Sequence, residues 1–203
     1  TTGVKDTAGN ALSSQYETSS GFTTLTPSSF QMGGAIQGTE LSLPTLVTTL
    51  ASGFNNLLGI TTDGTNLYVA DNYNYTIHKI VISSGVVTTL AGTAGSSGST
   101  DATGASARFY QPFGITTDGT NLYVADERNH TIRQIVISSG VVTTLAGLAG
   151  QNVGSTDATG ADARFNYPSG ITTDGTNVYV TDRNNYTIRQ IVISSGVVTT
   201  LAG

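Results

Sequence analysis

The chain has 203 residues, enough for one sizeable domain or one domain with part of a second. Only 10% of them are charged, against roughly 25% in an ordinary soluble domain, and the net charge of −5 speaks against a nucleic-acid partner, which a basic stripe would attract. There is no cysteine, which excludes disulfides, thiolate metal sites and cysteine nucleophiles, and no apolar run approaches the roughly 20 residues of a membrane span.

Residues 1–25 differ from the rest. Val4-Lys5-Asp6-Thr7-Ala8-Gly9-Asn10-Ala11-Leu12, followed by Gly21-Phe22-Thr23-Thr24, resembles the closing strands of a bacterial Ig-like domain. A segment this short cannot bury a core alone, so it is expected either to end a larger domain or to donate strands to another chain. Residues 26–45, with Pro27, Ser28, Ser29 and Gly33-Gly34, read as a linker. From Leu46 to Ser52 the chain matches the last strand of the repeat that follows, so 46–203 is expected to open on a lone fourth strand.

Three repeats then run in tandem. Ile60, Ile115 and Ile171 each open the segment Ile-Thr-Thr-Asp-Gly-Thr-Asn, at offsets of 55 and 56 residues; Ile82, Ile137 and Ile193 each open Ile-Ser-Ser-Gly-Val-Val-Thr-Thr-Leu-Ala-Gly. Each unit predicts four short strands. In the first unit they are Gly59 to Thr62, ended by an Asp-Gly turn, Asn66 to Ala70, the β-branched Thr76 to Ile82, and Val86 to Ala91 after a Ser-Ser-Gly turn. No helical period is sustained. Four-stranded antiparallel units in tandem predict an all-β fold, a β-propeller, in preference to a β-solenoid, with blades at about 53–92, 93–147 and 148–203. Propellers close with typically four to eight blades, so three blades and one strand make an incomplete ring. The chain starts at Thr1 without a Met and stops at Gly203 directly after a strand, and both ends read as cut from something longer. The missing blades are therefore expected from further sequence rather than from another copy.

One family resemblance is specific. Ala107-Arg108-Phe109, Pro112-Phe113-Gly114-Ile115, Leu122-Tyr123-Val124-Ala125-Asp126 and Asn129-His130-Thr131-Ile132-Arg133 together resemble an NHL repeat, with Asn129-His130-Thr131 in the place of the family's Asn-His-Leu triplet. The other units depart further, with Asn74-Tyr75-Thr76 and Asn185-Tyr186-Thr187. The resemblance covers residues 46–203 and implies a propeller. On function it is broad, because the family holds scaffolds, binding platforms and a few enzymes.

Set against one another, the repeats separate two faces. The turns after strands one and three are identical in all three units. The segments after strands two and four differ, among them Asn72-Tyr73-Asn74-Tyr75, Glu127-Arg128-Asn129-His130, Arg183-Asn184-Asn185-Tyr186 and the long loops 93–113 and 148–169. Loops on a rigid scaffold commonly carry recognition, and Tyr, Asn and Arg suit contact with glycan or protein. Tyr73, Tyr75, Arg128, His130, Arg183 and Tyr186 are the candidate binding residues, and drift of duplicated surface loops is the competing explanation.

Catalytic chemistry finds little support. Asp71, Asp126 and Asp182, closing strand two in each unit, are expected to accept loop backbone N–H groups. Arg108 and Arg164 are expected to pair with Asp101 and Asp157 and so pin the long loops. One carboxylate at each Ser-Thr-Asp-Ala-Thr-Gly turn is too few for calcium. His78 and His130 occupy different repeat positions, and neither has a second histidine at metal-ligand spacing. No metal site, cofactor or enzymatic activity is expected. Asn74, Asn129 and Asn185 begin Asn-X-Thr patterns and are candidate glycosylation sites. The expected function is a non-catalytic, secreted or cell-surface module that binds protein or glycan through the variable face. The alternative is a structural subunit of a surface assembly or filament, self-associating through its N-terminal strands.

Overall fold

A computed structural model describes residues 48–150 and 152–203 of the chain. The expected Ig-like end at 1–25 and the linker at 26–45 lie outside the described residues.

Twelve strands form three four-stranded antiparallel sheets, each in simple meander order. The first blade contains β1 (Leu57–Thr62), β2 (Asn66–Asp71), β3 (Thr76–Val81) and β4 (Val87–Gly92). The second has β5 (Pro112–Thr117), β6 (Asn121–Asp126), β7 (Thr131–Val136) and β8 (Val142–Ala146). The third has β9 (Pro168–Thr173), β10 (Asn177–Asp182), β11 (Thr187–Val192) and β12 (Val198–Ala202). This is the all-β propeller architecture that the repeats predict.

The repeated Asp-Gly turn holds each β1–β2 hairpin by the same device. Asp63 Oδ1 accepts the N–H groups of Thr65 and Asn66 at 2.8 and 2.7 Å, and Oδ2 accepts the Tyr68 hydroxyl at 2.8 Å. Asp118 with Tyr123 and Asp174 with Tyr179 repeat it. The Asn66 side chain and the surrounding N–H groups hold the Asp63 carboxyl well below its ordinary range. Burial and the Asp63 carboxylate push the Tyr68 hydroxyl up to about 12.

The core lies between blades. Tyr68, Ala70, Ile77 and Ala91 on the back of the first blade meet Ala107, Phe109, Ile115, Leu122, Val124 and Ile135 on the front of the second. Tyr123, Ala125, Ile132 and Ala146 meet Ala163, Phe165, Val178, Val180 and Ile191 in the same way at the next interface. This is why the strands carry apolar residues on both faces. β1, β5 and β9 lie side by side, so close that a Cβ on Gly59 would overlap the Phe113 carbonyl and one on Gly114 would overlap that of Ser169.

Two sequence expectations need correction. Residues 48–52 form no strand. A fourth strand pairs with the third strand of its own blade, and no such partner lies beside them among the described residues. Their placement still follows the repeat: a Cβ built on Gly85 would approach the Leu50 carbonyl, as one on Gly140 approaches that of Leu90. The long loops, moreover, do not stay on the variable face. Residues 102–104 run along the outer rim to the start of β8, where Gly104 N–H donates to the Gly140 carbonyl at 2.9 Å and Val142 N–H to that of Ala102 at 2.8 Å. Residues 158–160 do the same for β12. The loops thus satisfy part of two outer edges that would otherwise present unpaired backbone groups.

Candidate binding face

Antiparallel order places the connections after the first and third strands of every blade on one face, and those after the second strand on the other. The latter is the variable face, and it is built on a buried polar frame. Asp126, fully buried, accepts Tyr110 N–H at 2.8 Å, Asn129 Nδ2 at 2.7 Å and Arg133 Nη1 at 2.9 Å. Arg133, also fully buried, reaches the carbonyls of Arg108 and Thr100 and the Asp101 carboxylate, with its guanidinium 5.1 Å from the Phe109 ring centre. Asp182, Arg189, Asp157 and Phe165 reproduce the arrangement in the third blade.

The aspartates that close strand two therefore accept loop N–H groups as expected, whereas the expected Arg108–Asp101 and Arg164–Asp157 pairs do not form. Asp101 binds Arg133 at 2.6 Å and Asp157 binds Arg189 at 2.6 Å. Arg108 and Arg164 instead donate to carbonyls of their own turns. The physical reason is burial: Arg133 and Arg189 have no water at their guanidiniums and need every acceptor in reach. In the first blade His78 takes the arginine's place, 3.3 Å from Asp71 and bonded to Thr76 and Thr89. This Thr89–His78–Asp71 set occupies the positions that hold Thr144, Arg133 and Asp126 in the second blade, where they are bracing. Among the described residues no cluster of three or more His, Cys, Asp or Glu could hold a metal ion.

The frame holds six residues in left-handed conformations at the loops of this face. Tyr75, His130 and Tyr186 (φ 60°, 58° and 58°) precede the third strand of each blade, and Asn56, Gln111 and Tyr167 (φ 65°, 56° and 57°) precede or open the first. Such conformations cost about 1–3 kcal/mol each for residues with a Cβ and persist only where the surroundings impose them.

Three of the six candidates meet at one place, the seam between the second and third blades, around Tyr167. The Arg128 guanidinium lies 5.3 Å from the Tyr167 ring centre and that of Arg183 5.7 Å. Arg128 also donates to Gln111 Oε1 at 2.9 Å and to the Tyr167 hydroxyl at 3.2 Å. Arg183 pairs with the buried Glu127 at 2.5 Å. Burial raises the Glu127 carboxyl, against the pull of both arginines. His130 meets the Tyr167 ring edge-on at 4.7 Å and is buried, with Nδ1 accepting Tyr167 N–H at 3.2 Å. That bond specifies a neutral ring, and burial together with Arg128 lowers the His130 pKa.

The other three candidates lie apart from this seam. Tyr75 packs edge-on against Tyr110 at 5.8 Å, at the seam of the first and second blades. Tyr73 is 52% exposed and Tyr186 88% exposed. At the candidate glycosylation sites, Asn129 Nδ2 donates to Gly98 and Asp126, Asn185 Nδ2 to Gly154 and Asp182, and Asn74 Nδ2 to Asp71. Both amide hydrogens of Asn129 and of Asn185 are thus engaged inside the fold. Sequence reasoning missed Tyr167, Gln111 and Glu127 as members of the cluster. The available signal was the position before each proline of the first strand, where Gln111 in the second repeat becomes Tyr167 in the third.

Tandem four-stranded blades stacked on one another around a common inner row of strands define a β-propeller scaffold with its variation collected on one face. No family model matches the chain. NHL repeat-containing protein 2 of Homo sapiens is 32% identical over 145 residues, covering 66% of this chain and 20% of that protein. The repeats are homologous to those of that protein, and the chain spans about a fifth of its length. Among solved structures, an auxiliary nutrient binding protein from Bacteroides thetaiotaomicron aligns with a TM-score of 0.56 at 25% identity, over 70% of this chain and 36% of that one. Another from Bacteroides ovatus aligns with a TM-score of 0.58 at 23% identity, over 72% and 37%, a likeness of fold alone.

Proposed function

We propose that the chain is a non-catalytic binding module, secreted or at the cell surface, that recognises a protein or glycan through the variable face with the Tyr167 seam as its contact centre. The observation that carries this reading is the seam itself. A tyrosine held in a left-handed conformation is flanked by two partly exposed arginines, on the face where the repeats differ. Tyr and Arg dominate binding hot spots, because each offers a large contact surface with polar atoms at its edge. The solved nutrient binding protein is consistent with a scaffold of this kind in a binding role. The non-catalytic reading is supported by the commitment of the buried Asp–Arg pairs, and of His78 with Asp71, to bracing.

The test exchanges residues between equivalent blade positions, so that each variant carries a side chain the fold already accepts there. Arg128→Asn, Tyr167→Asn and Arg183→Asn introduce residues that stand at those places as Asn184, Asn56 and Asn72. On a glycan array or in a protein pull-down, the triple variant should lose at least tenfold in binding to whatever the parent captures. Arg183→Asn leaves the buried Glu127 without its arginine and lowers stability, so circular dichroism and a melting curve must show the variant folded at the assay temperature. Retention of parental binding by the triple variant would remove the seam from the function.

A further inference from the structure

Arg128 is a guanidinium held in place with donors to spare. Its Nε donates to Gln111 Oε1 at 2.9 Å and its Nη1 to the Tyr167 hydroxyl at 3.2 Å, while Nη2 has no partner among the described residues. The side chain is exposed, and no described carboxylate pairs with it. Arg183 gives Nη2 to Glu127, keeps Nε and Nη1 open, and is 48% exposed. Two guanidiniums thus share one buried carboxylate, a local excess of positive charge in a chain whose net charge is −5. The other described carboxylates are placed or paired elsewhere. Asp63, Asp118 and Asp174 sit at the turns of the opposite face, and Asp71, Asp126 and Asp182 are buried in the frame. Asp101 and Asp157 hold Arg133 and Arg189, and Asp162 stands in the 160–162 turn.

We propose that this seam takes the carboxylate of an acidic oligosaccharide, a chain of uronic-acid sugars, on the open donors of Arg128 and Arg183. The inference rests on the reading of the variable face as the binding surface and narrows its ligand. A carboxylate fits because a planar guanidinium meets its two oxygens with parallel N–H bonds. Gln111 and Tyr167 fix the Arg128 fork before any ligand arrives, so little side-chain freedom is lost on binding. The surroundings favour sugar over protein. Residues 72–75, 110–111, 127–130 and 183–186, with Tyr167, include no aliphatic side chain and are rich in Asn and Tyr. The centre of a protein interface is apolar and depleted of charge, whereas sugar rings need polar partners for their hydroxyls and flat faces for their C–H groups. Exposed tyrosines stand beside both arginines. The Tyr110 carbonyl accepts Arg128 N–H at 3.1 Å, and Tyr186 N–H donates to the Arg183 carbonyl at 3.3 Å. Tyr110 is 38% exposed and Tyr186 88%, and each ring offers an apolar face with a hydroxyl at its edge.

Isothermal titration calorimetry of the 203-residue chain tests this. The probes are oligomers of galacturonate, glucuronate and mannuronate, each beside its carboxyl-reduced neutral form, with poly-glutamate as the peptide arm. The parent is expected to bind at least one uronate series about tenfold more tightly than the neutral form, the worth of one charge-assisted hydrogen bond. Added salt should weaken that binding. In Arg128→Gln, which breaks no carboxylate pair, the preference for the charged form should vanish. Arg128→Lys should restore only part of it, because an ammonium keeps the charge without the fork. Circular dichroism with a melting curve confirms that both variants are folded. Equal binding of charged and neutral forms, or an Arg128→Gln variant that keeps the preference, overturns the inference and leaves the variable face as a sugar-binding surface. Binding of poly-glutamate and of no uronate overturns it in favour of an acidic peptide. A parent that binds none of the probes also overturns it, and the protein pull-down with the triple variant then judges the face separately.

Discussion

Replacing Arg133 by methionine probes the buried frame directly. The methionine fills much of the same volume against Phe109, but four acceptors lose their donor: the Asp126 and Asp101 carboxylates and the carbonyls of Arg108 and Thr100. Asp101 is partly exposed and keeps Thr144, so its loss is small. Asp126 is fully buried and keeps only Asn129 and Tyr110 N–H. Stranding one charge of a buried pair typically costs about 3–5 kcal/mol. The substitution should lower the unfolding free energy in urea by about that amount. In the double variant Asp126→Asn/Arg133→Met no buried charge is stranded, and the coupling from the four-protein cycle should reach about 2–3 kcal/mol.

The pH dependence has a definite sign. Burial already pushes the Asp126 carboxyl up to about 6, against Arg133, Asn129 and Tyr110 N–H, and losing Arg133 raises it further. A carboxyl whose folded pKa lies above its unfolded value favours folding in its neutral form, and this contribution is lost as pH rises through the folded pKa. The deficit of Arg133→Met relative to the parent should therefore be smaller at pH 5 than at pH 7.5. A deficit under about 1 kcal/mol, coupling within about 0.5 kcal/mol of zero, or a deficit that grows on acidification would refute the argument.

Three further outcomes follow from single sites. Gly114→Ala places a Cβ against the Ser169 carbonyl of the neighbouring inner strand, and should cost about 1–3 kcal/mol in urea titration, as overpacking does. Tyr123→Phe removes the 2.8 Å bond to Asp118 and should cost about 1 kcal/mol. Burial pushes the Asp118 carboxyl up but its N–H donors and the Tyr123 hydroxyl pull it lower still, so the same change should shift its NMR titration upward. His130 has a folded pKa below 6.5, so its contribution is full above pH 6.5 and is lost as pH falls toward the folded value. His130→Tyr, which installs the residue of the other two blades, should flatten the fall of the urea midpoint between pH 7 and pH 5. An unchanged slope would place the proton elsewhere.

The sequence by itself determined the blade. The Asp-Gly turns, the β-branched third strand and the offset between identical segments are local or periodic signals, and they specify four strands, their order and the division into a constant and a variable face. It also located the aspartates of strand two, because a carboxylate repeated at a turn has one common use. What it could not determine were the partners of groups brought together from different elements. Arg108 stands nearer in sequence to Asp101 than Arg133 does, yet Arg133 takes the carboxylate, because burial in the sheet leaves it no other solvent. His130 reads as a surface loop residue, yet its left-handed backbone turns it inward against Tyr167. The Tyr167 cluster joins residues from four segments of two blades, and only the stacking of blades sets those distances. Stacking also decides the fate of Ile60 and Ile188, whose equivalents Ile115, and Ile77 and Ile132, are core. The same residue in the same repeat is buried or exposed according to whether a neighbouring blade is present, and no single repeat's sequence encodes that.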